Sequence, residues 1–81
     1  MGVQTAYDLI VADMRAIWGD MATAMLRKRL RDVRADPVSL TRTDLVKIVQ
    51  LLRERTLPSV MGEEGAEAKA NQYLAWVVDG A

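Results

Sequence analysis

Cysteine and histidine are both missing from this chain. Without cysteine there is no disulfide, no thiolate metal ligand and no thiol nucleophile. Without histidine the commonest metal ligand and the usual general base near neutral pH are gone as well. Ser39 and Ser59 have no imidazole to activate them, and the acidic residues show no pairing suited to acid–base work. The chain therefore reads as a non-enzyme, with no cofactor, no metal and no catalytic residue expected. Phenylalanine is absent too, and two Trp and two Tyr are the only aromatics. A core must be assembled from Leu, Val, Ala and the five Met. Long apolar runs are also lacking: the longest uncharged stretch, residues 70–78, is far short of the ~20 residues that span a bilayer. The first apolar stretch carries Asp8 and Asp13 and has no basic flank, so it does not read as a signal peptide. Gly2 is where a myristoyl group would attach, but Ala6 stands where that motif wants Ser or Thr. The expectation is a cytoplasmic protein without a membrane segment.

What is present points to a single helical domain, residues 1–81. A hydrophobic fraction of 51% with 27% charged residues is that of an ordinary globular chain, so disorder is not expected. Chains of this length often complete their core by oligomerising. The formal net charge is zero, yet it is segregated. Residues 1–26 carry one basic residue against three acids, a net of −2. Residues 27–55 carry nine against four, a net of +5, and residues 56–81 one against four, a net of −3. Such separation suits a nucleic-acid partner, and equally the self-association of opposite ends.

The most strongly marked stretch is the second helix, expected over residues 42–56. Thr41 reads as its N-cap, with Asp44 at the capping-box position and Leu40 and Leu45 as a hydrophobic staple. Leu45, Ile48, Val49 and Leu52 form an apolar face at helical spacing, and Pro58 is expected to stop the helix near Thr56. The first helix is expected over residues 3–33. It bears a stripe of Tyr7, Ile10, Val11, Met14, Ile17, Trp18, Met21 and Met25, after which Leu26, Leu30 and Val33 take over. Gly19 followed by Asp20 offers a break, but continuity is preferred because Trp18 and Met21 keep their register. An unbroken helix of this length would run ~45 Å, longer than the ~30 Å diameter of a compact chain this size. Ala35-Asp36-Pro37 turns the chain, so the first two helices should pack antiparallel. Val60 and Met61 are expected in a loop tucked under the bundle. A third helix is expected over residues 63–78, with Ala66, Ala70, Tyr73, Leu74, Val77 and Val78 inward. The fold class is all-α, a three-helix bundle whose long first helix, straight or kinked, is completed by self-association.

Two surfaces carry the functional reading. The leading one is a non-catalytic protein-interaction or oligomerisation module, a homodimer or larger homo-oligomer. It would associate through the stripe of Tyr7, Ile10, Val11, Met14, Ile17, Trp18, Met21 and Met25, since pliable Met suits varied partners. The alternative is a small dimeric DNA-binding regulator that presents Arg27, Arg31 and Arg34, which share one helical face, to phosphates. The simpler account of that basic run is a solvated face near a helix C-terminus, with Lys28 and Asp32 at i,i+4. Glu63, Glu64 and Glu67 are best read as favouring the positive end of the third helix rather than as ligands of a hard cation. Lys47 lies opposite the apolar face of its helix and has no desolvating pocket.

Overall fold

The computed structural model describes residues 2–79. It is all-helical, with no strand among the described residues. Helix α1 spans Val3–Trp18, α2 Met21–Asp32, α3 Arg42–Leu51, and α4 Leu57–Asp79, with a π-helical turn, Leu52–Thr56, joining α3 to α4.

The expected helix over 3–33 is two helices. Gly19 adopts φ 62 and ψ −136, a region closed to residues with a Cβ, and its N–H donates to the Arg15 carbonyl to close α1. The Ala22 N–H then donates to the Gly19 carbonyl at 3.1 Å as α2 begins. Register across Trp18 and Met21 was the argument for continuity, but a glycine able to take this conformation outweighs it. The chain reverses at that point. Leu26 and Leu30 of α2 share a cleft with Tyr7 and Val11 of α1, so the two helices form an antiparallel hairpin. No overhang remains: the principal extents are 29 × 23 × 21 Å.

Just beyond the end of α2, Arg34 takes a left-handed φ of 55. The Ala35 N–H reaches back to the Leu30 carbonyl at 3.0 Å, the long bond of a Schellman ending. Asp36 then holds the turn, accepting the Val38 N–H on its side chain at 2.8 Å. Helix α3 starts as its sequence predicts. The Asp44 N–H donates to Thr41 Oγ1 at 3.1 Å, and the Thr41 N–H donates to Asp44 Oδ2 at 3.4 Å. The second bond is the longer one, as the short Asp side chain requires.

The helical chain that begins with α3 does not stop at Thr56. Pro58 has no N–H, and in an α-helix its ring would press on the Glu54 carbonyl. The chain instead widens by one residue over Leu52–Thr56, and the Leu57 N–H donates to the carbonyl of Leu52. Ser59 Oγ donates to the Thr56 carbonyl at 2.9 Å, providing a further bond at the joint. Helical chain thus continues past Pro58, with Val60 and Met61 inside it rather than in a loop. It breaks at Gly62, where φ 76 and ψ 171 again need glycine. From Arg42 to Met61 this rod is ~30 Å long, the full length of the molecule.

The core lies along the rod. Leu45, Ile48, Val49, Leu52 and Leu57 are fully buried there, against Ile10 and Met14 of α1, Leu26 of α2, and Ala66, Ala70, Tyr73 and Val77 of α4. Ala66 and Ala70 are buried on the inward face of α4, where the sequence places them. Leu74 is only half-buried, and Val78 is exposed. The Arg42 Nε–H ties the start of α3 to α4 by donating to the Val77 carbonyl at 3.2 Å.

Candidate functional site

The break at Gly19 decides where the apolar stripe goes. Ile10 and Met14 are fully buried in the chain's own core, and Tyr7 nearly so. They are covered by the hairpin partner and by the other helices, so they are not available to a second molecule in the folded chain. Val11, Trp18 and Met25 are half-buried. Ile17, 47% exposed, and Met21, 59% exposed, remain on the surface on either side of the break. The stripe expected as one interface is therefore divided: its first half builds the core, and its last part stays outside.

Helix α2 stands between two clefts. The larger, about 390 Å³, has Tyr7, Val11, Leu26 and Leu30 on its walls, with the cations Arg27 and Arg31 also in its lining. Burial raises the Tyr7 phenol, and the nearby Asp8 carboxylate adds to that, so the group stays protonated well into the alkaline range. Arg34 is exposed at the end of the same helix, so Arg27, Arg31 and Arg34 all face solvent. The smaller cleft, about 230 Å³, is lined by Met21, Met25, Lys28 and Arg29 from α2, with Arg55, Thr56, Ser59 and Val60 opposite. Its far wall is built by the π-helical turn and the helical turn that follows it. Arg55 and Thr56 belong to that turn and lie across the cleft from α2.

Arg29 is the residue that sequence reasoning passed over. It is 4% exposed, while its neighbours Arg27, Lys28 and Arg31 are all exposed. Its Nε lies 3.4 Å from Asp32 Oδ2, within ion-pair distance, yet neither Nε nor Nη1 has a hydrogen-bond partner among the described residues. A guanidinium shielded from water without full hydrogen bonding is costly, which makes this position unusual. The signal was in the sequence: Ala22, Leu26 and Arg29 fall at i, i+4 and i+7, on the buried face of the helix. Reading the basic run as a solvated face hid it.

A second polar cluster joins α1 to α4. Asp13 Oδ2 accepts from the Tyr73 hydroxyl at 2.6 Å and from Lys69 Nζ at 3.1 Å, and Lys69 also donates to Gln72 Oε1 at 2.9 Å. Tyr73 is fully buried and stacks obliquely on Trp76, with ring centroids 5.5 Å apart. Burial first, then the hydrogen bond to Asp13 and its negative charge, push the Tyr73 phenol far above its ordinary range. The hydroxyl acts as a fixed donor. Separated by 56 and 60 residues in the chain, these partners left no sequence signal. The cluster holds two helices together rather than facing a ligand.

Glu63, Glu64 and Glu67 are exposed just beyond Gly62. Among the described residues no three acidic side chains converge to hold a metal ion. No helix of the described residues is long and apolar enough to cross a membrane. Comparison with protein-family models, with curated proteins and with solved structures found no match to this chain.

Proposed function

We propose that this chain is a non-catalytic interaction module whose partner is a second copy of itself, docking through Ile17, Met21, Met25 and Val60. The observation that carries the reading is the exposure of Met21 and Ile17 at the break, with Val60, 39% exposed, across the smaller cleft. Apolar side chains grouped beside cations mark contact surfaces more often than scattered exposed ones do. Charge selects the occupant. Lys28 and Arg55 stand on the two walls of the cleft, and the exposed acids Glu63 and Glu64 follow Val60 and Gly62 in the chain. A two-fold arrangement sets the basic edge of each copy against the acidic turn of the other, as a self-complementary surface requires.

The test is solution mass as a function of concentration. The wild-type chain is expected to form dimers, less tightly at high salt, because edge charges are screened. Met21→Asp is expected to stay folded by circular dichroism and to be monomeric. A wild-type chain that remains monomeric at every concentration, or a Met21→Asp chain that dimerises as well as wild type, overturns the proposal.

A regulator that binds DNA through Arg27, Arg31 and Arg34 is the second reading, favoured by the exposure of all three along α2. It requires duplex binding that falls steeply with salt and disappears when the three are replaced by Gln.

A further inference from the structure

We infer that the smaller cleft is a binding site for an oxyanion carried on a short aliphatic stem, a carboxylate or a phosphate monoester. The anchor is Arg29. Arg29 lines the cleft, its guanidinium is shielded from solvent with two nitrogens lacking hydrogen-bond partners among the described residues, and Asp32 Oδ2 stands 3.4 Å from its Nε. Asp32 supplies one counter-charge but leaves the guanidinium's hydrogen bonding incomplete, so an oxyanion gains from a turn of this side chain toward the cleft. Lys28 and Arg55 line the same cleft, so three cations surround a space of about 230 Å³ that no acidic side chain lines. Three positive groups around a low-dielectric concavity concentrate a field that favours an anion.

The remainder of the wall sets the class of ligand more closely. Thr56 and Ser59 bring hydroxyls to the cleft. The Ser59 proton is already given to the Thr56 carbonyl, so Ser59 Oγ offers a lone pair, and Thr56 is left as the hydroxyl donor. Met21, Met25 and Val60 supply apolar surface beside the cations. A bare inorganic ion would draw on the lining cations and leave that surface unused. A stem of a few methylenes would lie on the two methionines, whose flexible thioethers adapt to it. The space is below the usual range for drug-sized ligands, which limits the stem to a short one.

The inference uses part of the same wall as the proposed self-association, and the experiment keeps the two apart. The whole chain is titrated with hexanoate, hexyl phosphate and, as a neutral control, hexanol, while the Arg29 Nε–H resonance and the Met21 and Met25 methyl resonances are followed by NMR. Solution mass is measured in the same samples, so a failure of dimerisation shows in mass and a failure of this site in the Arg29 resonance. Saturable shifts of all three signals with at least one of the two anions are expected, with hexanol binding far more weakly. Whichever anion binds more tightly identifies the source of the oxyanion. Arg29→Met is expected to weaken that binding about tenfold or more, the loss of one charge-assisted hydrogen bond. Arg55→Gln, a change on an exposed residue that leaves the core intact, is expected to weaken it roughly two- to fivefold. Absence of a saturable Arg29 shift with both anions overturns the inference. So does hexanol binding as well as the anions, or Arg55→Gln together with Arg29→Met leaving affinity unchanged.

Discussion

The two flanks of this bundle treat a sheltered charge in opposite ways. Between α1 and α4, Asp13 receives two donors, the buried Tyr73 hydroxyl and Lys69. Between α2 and the π-helical turn, Arg29 is more deeply buried and two of its nitrogens have no hydrogen-bond partner among the described residues. Folding alone would favour completing both seams, because an unsatisfied buried group costs more than a satisfied one gains. A seam that stays incomplete, next to exposed Met21 and Ile17, is where a functional surface is best sought. The α1–α4 seam belongs to the fold. The α2 seam is the one to which the proposed binding is assigned.

Substitutions can break this contrast, beginning with the largest effect. Met14→Asp places a charge in the closed core and is expected to unfold the chain, at a cost of several kcal/mol that chemical denaturation would register. Met21→Asp, seven residues along the same stripe, is expected to leave stability nearly unchanged. Finding the two equally destabilising would mean that the stripe is not divided at Gly19.

Asp13→Ala comes next. It strands the Tyr73 hydroxyl and Lys69, and a loss of about 2–3 kcal/mol is expected from urea titration. Arg29→Met on the other flank is expected to be neutral or stabilising, by up to about 1–4 kcal/mol, as a well-packed apolar side chain replaces an incompletely paired cation. If Arg29→Met were the more damaging of the pair, the α2 seam would be structural after all.

The smallest effect is the most specific. Tyr73→Phe is expected to cost about 1 kcal/mol at neutral pH. The Tyr73 phenol is raised above its unfolded value near 10, so its contribution is fully present below pH 10. Above that the unfolded chain releases the proton and the folded chain does not, so stability falls as pH rises. Measured between pH 9 and pH 11, the slope should be shallower in Tyr73→Phe than in wild type. Equal slopes would show that the phenol is not held protonated by the fold.

Local chemistry made some of this legible in the sequence. The Thr41–Asp44 box, the Leu45–Leu52 face and the inward placing of Ala66 and Ala70 each rest on residues close in the chain, and each stands in the structure as its spacing predicts. The all-α class follows from the same periodicities. The break at Gly19 was visible as an option but lost to a register argument, because hydrophobic phase is preserved just as well by a hairpin whose second arm packs on its first. Pro58 was read as a stop because a proline forbids the α-helical bond, and nothing local shows that one wider turn can carry the chain past it. The division of the apolar stripe, and with it the site, depended on both of these. The Asp13–Lys69–Tyr73 cluster depends on how α1 meets α4, which no window of the sequence contains.

The π-helical turn also bears on how chains of this shape could vary. In a regular α-helix, successive residues turn ~100°, so a residue five places after Leu52 would lie ~140° round the axis, away from the core. The wide turn removes most of that angle, and Leu52 and Leu57 are both fully buried. A chain one residue shorter between them would bring the same two leucines inward from ordinary helix, at i and i+4. Seen in this light, the turn is an insertion absorbed without disturbing the packing on either side. What the insertion adds is sideways displacement of its own residues, and Arg55 and Thr56 are among those displaced, onto the wall of the smaller cleft. Length variation at this one turn would therefore reshape the wall of that cleft while the packing of Leu52 and Leu57 beneath it stays the same.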